Sequence, residues 1–148
     1  MQDFPHRYRV AAAAQAEGSV ALSSPGLADL ESAAPAEFGG PGDRWSPETL
    51  LVAAVADCFV LSFKAIARAS KLEWNSLSCD ADGVLERVDR VTQFTAFHLR
   101  ATLDVPEGTR PEKAARLMEK AEKTCLVTNS LKADSHLEAE VTIAGVAA

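Results

Sequence analysis

Cysteine is scarce in this chain: Cys58, Cys79 and Cys125 are the three in 148 residues. That is too few, and too widely spaced, for a secreted disulfide scaffold. Positive charge is also short, with 15 Lys and Arg against 21 Asp and Glu and a formal net charge of −6. Sequence-independent nucleic-acid binding and polybasic membrane contact both need a basic face, so both are disfavoured. Long apolar runs are missing too. The stretch after Arg9 reaches only from Val10 to Ala14, whereas a signal-peptide core takes ~7–15 apolar residues. Thr49 to Phe63 is interrupted by Asp57 and closed by Lys64, short of the ~18 residues a membrane span takes. The expectation is a soluble, cytoplasmic protein. No CxxC or HxxxH pair, no GK[ST] ending after Gly39-Gly40-Pro41-Gly42 and no GxSxG elbow occurs. Metal, phosphate-loop and serine-hydrolase readings therefore fall away.

Apolar residues at 47% and charged residues at 24% are an ordinary globular balance. The length suits one domain, 1–148, with a core of its own. The region 1–34 reads as a hairpin: Tyr8, Val10 and Ala12 alternate with their neighbours, and Val20 and Leu22 do so after a Glu17-Gly18 turn. Ser46 suits a helix N-cap, Pro47 the first helical position and Glu48 the positive helix end. The helix is expected over 46–70, apolar nearly all round and so buried on most sides.

The period then becomes two. Leu77, Cys79, Ala81 and Leu85, then Phe97, Leu99, Ala101, Leu103 and Val105, mark the inner faces of a hairpin over 76–105. Helices are expected over 110–131, with Ala114, Ala115, Leu117, Met118 and Ala121 facing inward and a short second helix from Cys125 to Leu131. Leu137, Ala139, Val141 and Ile143 mark a last strand over 136–146. This is an α+β chain, an antiparallel sheet with helices on one face. One small sheet cannot cover a helix apolar on all sides, so a partner chain is expected.

Among residues able to do chemistry, His98 and His136 fall on outward strand faces and read as solvated. Cys79 shares a strand face with Leu77 and Ala81, the setting of a small buried hydrophobe. Cys58 lies mid-helix among Leu51, Ala54, Val55, Leu61 and Ser62, where core packing and catalysis are both open. Cys125 begins a short helix after a break, a position that favours a thiolate, although a capped, partly buried start is an equal reading.

The run Trp45-Ser46-Pro47-Glu48-Thr49-Leu50-Leu51-Val52-Ala53-Ala54-Val55-Ala56-Asp57-Cys58-Phe59 resembles the first signature of the OsmC/Ohr family of thiol-dependent peroxidases. Lys123-Thr124-Cys125-Leu126-Val127-Thr128-Asn129-Ser130-Leu131 resembles its second-cysteine motif. The spacing of the two motifs and the strand order also match, so the resemblance covers nearly the whole chain. Both motifs look more like OsmC and OsmC-like members than the organic-hydroperoxide-resistance branch.

The resemblance implies an intertwined homodimer of antiparallel sheets on a long central helix. It implies Cys58 as peroxidatic thiolate, Cys125 as resolving thiol and Glu48 in the active site. The substrate would be an organic hydroperoxide, which the surrounding apolar side chains suit. Turnover would pass through a Cys58–Cys125 disulfide re-reduced by a lipoyl-type dithiol such as dihydrolipoamide, free or on a lipoylated protein, with no bound cofactor or metal. One departure stands out. The family's activating arginine belongs a few positions before the glycine matched by Gly18, and here the stretch is Ala14-Gln15-Ala16-Glu17. Arg44, on the loop just ahead of the helix, is the nearby candidate to replace it, and a solvated loop arginine is at least an equal reading. The rival expectation is a non-catalytic module binding a small apolar ligand in the same pocket.

Overall fold

The computed structural model describes residues 1–148 and resolves into two compact units, 1–50 and 51–148. In the first, β1 (Ala11–Ala14), β2 (Val20–Ser23) and β3 (Leu30–Ser32) form an antiparallel sheet in that order. The hairpin register sets Ala12 opposite Leu22. Gly18 turns the chain between β1 and β2 with φ of 97°, a conformation that favours glycine. β3 is a strand the alternation did not predict; it is only three residues long, too short to show a period. A single 3-10 turn at Ala36–Phe38 follows.

Helix α1 runs from Pro47 to Ala69 and opens on a reciprocal cap. The Thr49 N–H donates to Ser46 Oγ at 3.1 Å, and the Ser46 N–H donates to Thr49 Oγ1 at 2.8 Å. This is a capping box with threonine in the place usually held by Glu or Gln.

In the second unit, β4 (Ser76–Val88) and β5 (Val91–Val105) pair antiparallel, with a bulge at Val84/Leu85. Asp89 and Arg90 join them with φ of 48° and 68°, the twist a two-residue hairpin turn requires. Helix α2 (Pro111–Lys123) then carries the chain across to β6 (Asp134–Ile143), and β7 (Val146–Ala147) folds back on β6. The sheet order is β4-β5-β6-β7, and β6 lies parallel to β5 with His136 opposite His98. The wholly antiparallel sheet expected from the sequence is therefore mixed. Alternation sorts side chains between faces but says nothing about strand direction, and a helical crossover returns the chain to its starting end.

One core fills the second unit. Phe97, Leu99, Ala101, Leu103 and Val105 of β5 face a stripe of α1, Val55, Phe59, Phe63 and Ala67, and Ala114, Met118 and Ala121 of α2. Phe63 meets Trp74 edge-on with ring centres 5.6 Å apart. The stripe is narrower than predicted: most other α1 residues are only half-buried, and Leu61 is 55% exposed. Over its most apolar 18 residues α1 has a mean hydropathy of 2.1, so by length and composition alone it is apolar enough to cross a membrane despite Asp57. Only 22% of that stretch is buried, through Val55, Phe59, Phe63 and Ala67.

Candidate functional site

Cys58 sits beside Phe59, at the edge of the buried stripe of α1, and is itself half-buried. Its sulfur lies 4.0 Å from the hydroxyl of Ser62, one helical turn on. Cys125 follows the end of α2, where Thr124 closes the helix by donating to the Lys120 carbonyl from both its N–H, at 3.1 Å, and its hydroxyl, at 2.9 Å. The chain then makes one tight turn. The Asn129 N–H donates to the Cys125 carbonyl at 3.0 Å, and a single 3-10 turn covers Thr128–Ser130. The helix predicted from Cys125 to Leu131 is thus reduced to this turn, because α2 unwinds at Thr124 and no further ladder bonds follow.

Both cysteines are free thiols, near enough for each to act on the ionisation of the other. The remaining influences come from the turn. Val127 bears on the ionisation of both thiols and Thr128 on that of Cys125. The Thr128 hydroxyl donates to the Cys125 carbonyl at 3.1 Å.

Burial is the largest influence on each sulfur and the outcomes differ. Burial, with Cys125 adding to it, pushes the Cys58 thiol up. At Cys125 burial also pushes upward, but donation from Thr128, Cys58 and Val127 together brings the thiol below its ordinary range. The groups with the largest effect on either sulfur include no cation. Arg44, expected to supply one, is held by Glu31 at 3.2 Å and Asp43 at 3.1 Å. The reason is local: both acidic groups lie within reach of the same loop, and the guanidinium pairs with them.

In the first unit, Glu48 lines a cavity of about 430 Å³ with Val20, Ser32, Pro35 and Phe38. One of its carboxylate oxygens, Oε2, is buried with no hydrogen-bond partner. Cys79 stands apart on β4, where burial, reinforced by the charge of Asp80, pushes its thiol up to about 11. His98 and His136 stack on the outer sheet face with ring centres 5.2 Å apart. No three His, Cys, Asp or Glu side chains gather at metal-ligating distance. Sequence reasoning singled out both thiols but not Val127 and Thr128, the turn residues that bear on their ionisation. The position of Cys125 at the start of the predicted short helix was the available signal.

Solved structures of other proteins share the architecture. An OsmC-like protein of unknown function from Vibrio cholerae superposes with a TM-score of 0.83 at 18% identity, over 91% of this chain and 99% of that one. An organic hydroperoxide resistance protein OsmC from Legionella pneumophila gives 0.73 at 24% identity, over 95% and 99%. The uncharacterized protein YmaD of Bacillus subtilis is 23% identical over 112 residues, 74% of this chain and 75% of its own. The family profile described as OsmC-like protein matches residues 40–140, across both cysteine segments, and the chain belongs to that family.

Proposed function

We propose that the protein is a cysteine-based peroxidase that reduces organic hydroperoxides to alcohols. The carrying observation is the pairing of two free thiols, half-buried Cys58 on α1 and buried Cys125 just after α2, each acting on the ionisation of the other. A binding pocket has no need of a second thiol, whereas a sulfenic acid formed at Cys58 needs a neighbour to condense with. Cys58 attacks the peroxide oxygen, the alcohol leaves, and Cys125 closes the disulfide. A small dithiol of the lipoyl type, free or on a lipoylated protein, then restores both thiols by exchange. The half-buried apolar residues around Cys58 favour an organic peroxide over a hydrated one. That the Legionella neighbour is named a hydroperoxide resistance protein agrees with this reading.

Glu48 enters through a second copy of the chain. Ten residues separate it from Cys58 on α1, which is about 15 Å along the axis and roughly 80° around it. A carboxylate reach of about 3 Å does not close that gap. A homodimer with paired long helices brings Glu48 of one chain to Cys58 of the other, and covers the apolar surface of α1 that the single chain leaves open. The deciding experiment is steady-state peroxide turnover with dihydrolipoamide, wild type against Cys58→Ser. Turnover should vanish in the variant; equal rates would end the peroxidase reading.

A further inference from the structure

The start of α1 is capped without Glu48. Ser46 and Thr49 exchange hydrogen bonds at 2.8 and 3.1 Å, and the carboxylate between them in sequence takes no part in that cap. Its Oε2 is instead buried without a hydrogen-bond partner, on the wall of the cavity of about 430 Å³. A carboxylate can only accept, and a buried acceptor left unmet is costly. Nothing else on the wall answers it. Val20, Pro35, Phe38 and Pro47 are apolar, Ser32 is the other polar residue, and no cation lines the cavity. Arg44, the nearest candidate in sequence, is paired with Glu31 and Asp43.

The wall is built in advance of any ligand. The N–H groups of Phe38 and Gly40 both donate to the Pro35 carbonyl at 3.0 Å, and the Ala33 N–H donates to the Trp45 carbonyl at 2.9 Å. These bonds close the 35–40 turn and tie the strand side of the cavity to the approach to α1. Gly40 lies so close beneath the turn that a Cβ there would collide with the Ala34 carbonyl oxygen. The volume falls within the ~300–1,000 Å³ of small-molecule sites, which pair apolar walls with a few placed polar groups. We propose that this cavity binds a small organic amine, its ammonium donating to Glu48 Oε2 and its compact apolar body lying against Val20, Pro35 and Phe38. A charge-assisted hydrogen bond is roughly twice as strong as a neutral one, so the carboxylate selects an ammonium over a hydroxyl. The aromatic face of Phe38 on the same wall adds to that preference. The same carboxylate repels an anion. The site is formed within the first unit and uses no cysteine, so it does not rest on the peroxidase reading.

The test is an amide-resonance titration of the full chain at neutral pH with three probes of nearly equal shape: benzylammonium, benzyl alcohol and benzoate. Benzylammonium should saturate, with its shifts gathered on residues 32–38 and on Glu48 and Thr49, and should bind at least about tenfold more tightly than benzyl alcohol. Benzoate should not bind. Glu48→Gln should weaken benzylammonium by about tenfold and leave the weak binding of benzyl alcohol unchanged. Glu37→Gln removes an exposed carboxylate from the same turn. It should change nothing, which separates the site from a general attraction of cations to a chain of net charge −6. Equal affinity for benzylammonium and benzyl alcohol, or ammonium binding that survives Glu48→Gln, overturns the proposal. So do shifts that never saturate or that scatter over other acidic residues, and so does a cavity that a second copy of the chain fills and closes to all three probes. Should Glu48→Gln fail to fold, the ranking of the probes and their shift map on the wild type still decide. Peroxide consumption is measured on the same samples. A protein that binds the amine at Glu48 and consumes no peroxide upholds the site and sinks the peroxidase reading, and the reverse result does the opposite.

Discussion

Asp104 is the most heavily solicited carboxylate in the chain. The Thr142 hydroxyl at 2.5 Å and the Gly145 N–H at 2.7 Å donate to one oxygen, and the Asn75 amide donates to the other at 2.8 Å. Thr142 most strongly, then Asn75 and Gly145, hold the carboxyl below its ordinary 3.8. A depressed folded value gives stability that is present above the unfolded value and disappears as pH falls through the folded one. Asp104→Asn should therefore lower the urea midpoint clearly at pH 7 and less at pH 3, where the wild type is already losing the contribution. An equal drop at both pH values would remove the linkage. Cys79 gives the opposite case. With its thiol near 11 it stays protonated and unreactive through the physiological range. Cys79→Ala should keep its rate of peroxide consumption and lose about 1 kcal/mol of stability, read from denaturant unfolding. A folded Cys79→Ala protein without turnover would overturn the division of roles among the three cysteines.

Between elements, the approach of α1 to the sheet depends on Gly83. A Cβ there would come within 2.6 Å of Val52 Cγ2 on α1 and 2.8 Å of Phe94 Cε1 on β5. Gly83→Ala should cost about 1–3 kcal/mol through overpacking; a neutral thermal melt would show that the two side chains yield freely. Phe59, fully buried beside Cys58, should cost about 3–5 kcal/mol on truncation to Ala. The local features of these elements were readable. Ser46 and Pro47 announce the start of α1, and the alternation from Phe97 to Val105 assigns inner and outer faces correctly. The turn at Asp89-Arg90 was not readable, because neither residue is a glycine or asparagine that signals positive φ.

At the scale of the whole molecule, the proposed composite site predicts complementation. Glu48→Ala and Cys58→Ser homodimers should each be poor peroxidases, while co-refolded heterodimers should regain one working site. Verified heterodimers without recovery, or a fully active monomer, would defeat the arrangement. The sequence by itself determined what depends on near neighbours along the chain: the α+β succession of elements, the cap of α1, the face each strand turns inward, and two cysteine motifs specific enough to name a family. Tertiary structure alone decided what depends on distant segments meeting. It set β6 parallel to β5, since direction follows the crossover through α2 and leaves no mark on the alternation. It bound Arg44 to Glu31 and Asp43, since a cation on a loop pairs with whichever carboxylates the fold brings within reach. It also brought Cys58 and Cys125 near enough to act on each other's ionisation, because that proximity depends on packing between α1 and the end of α2.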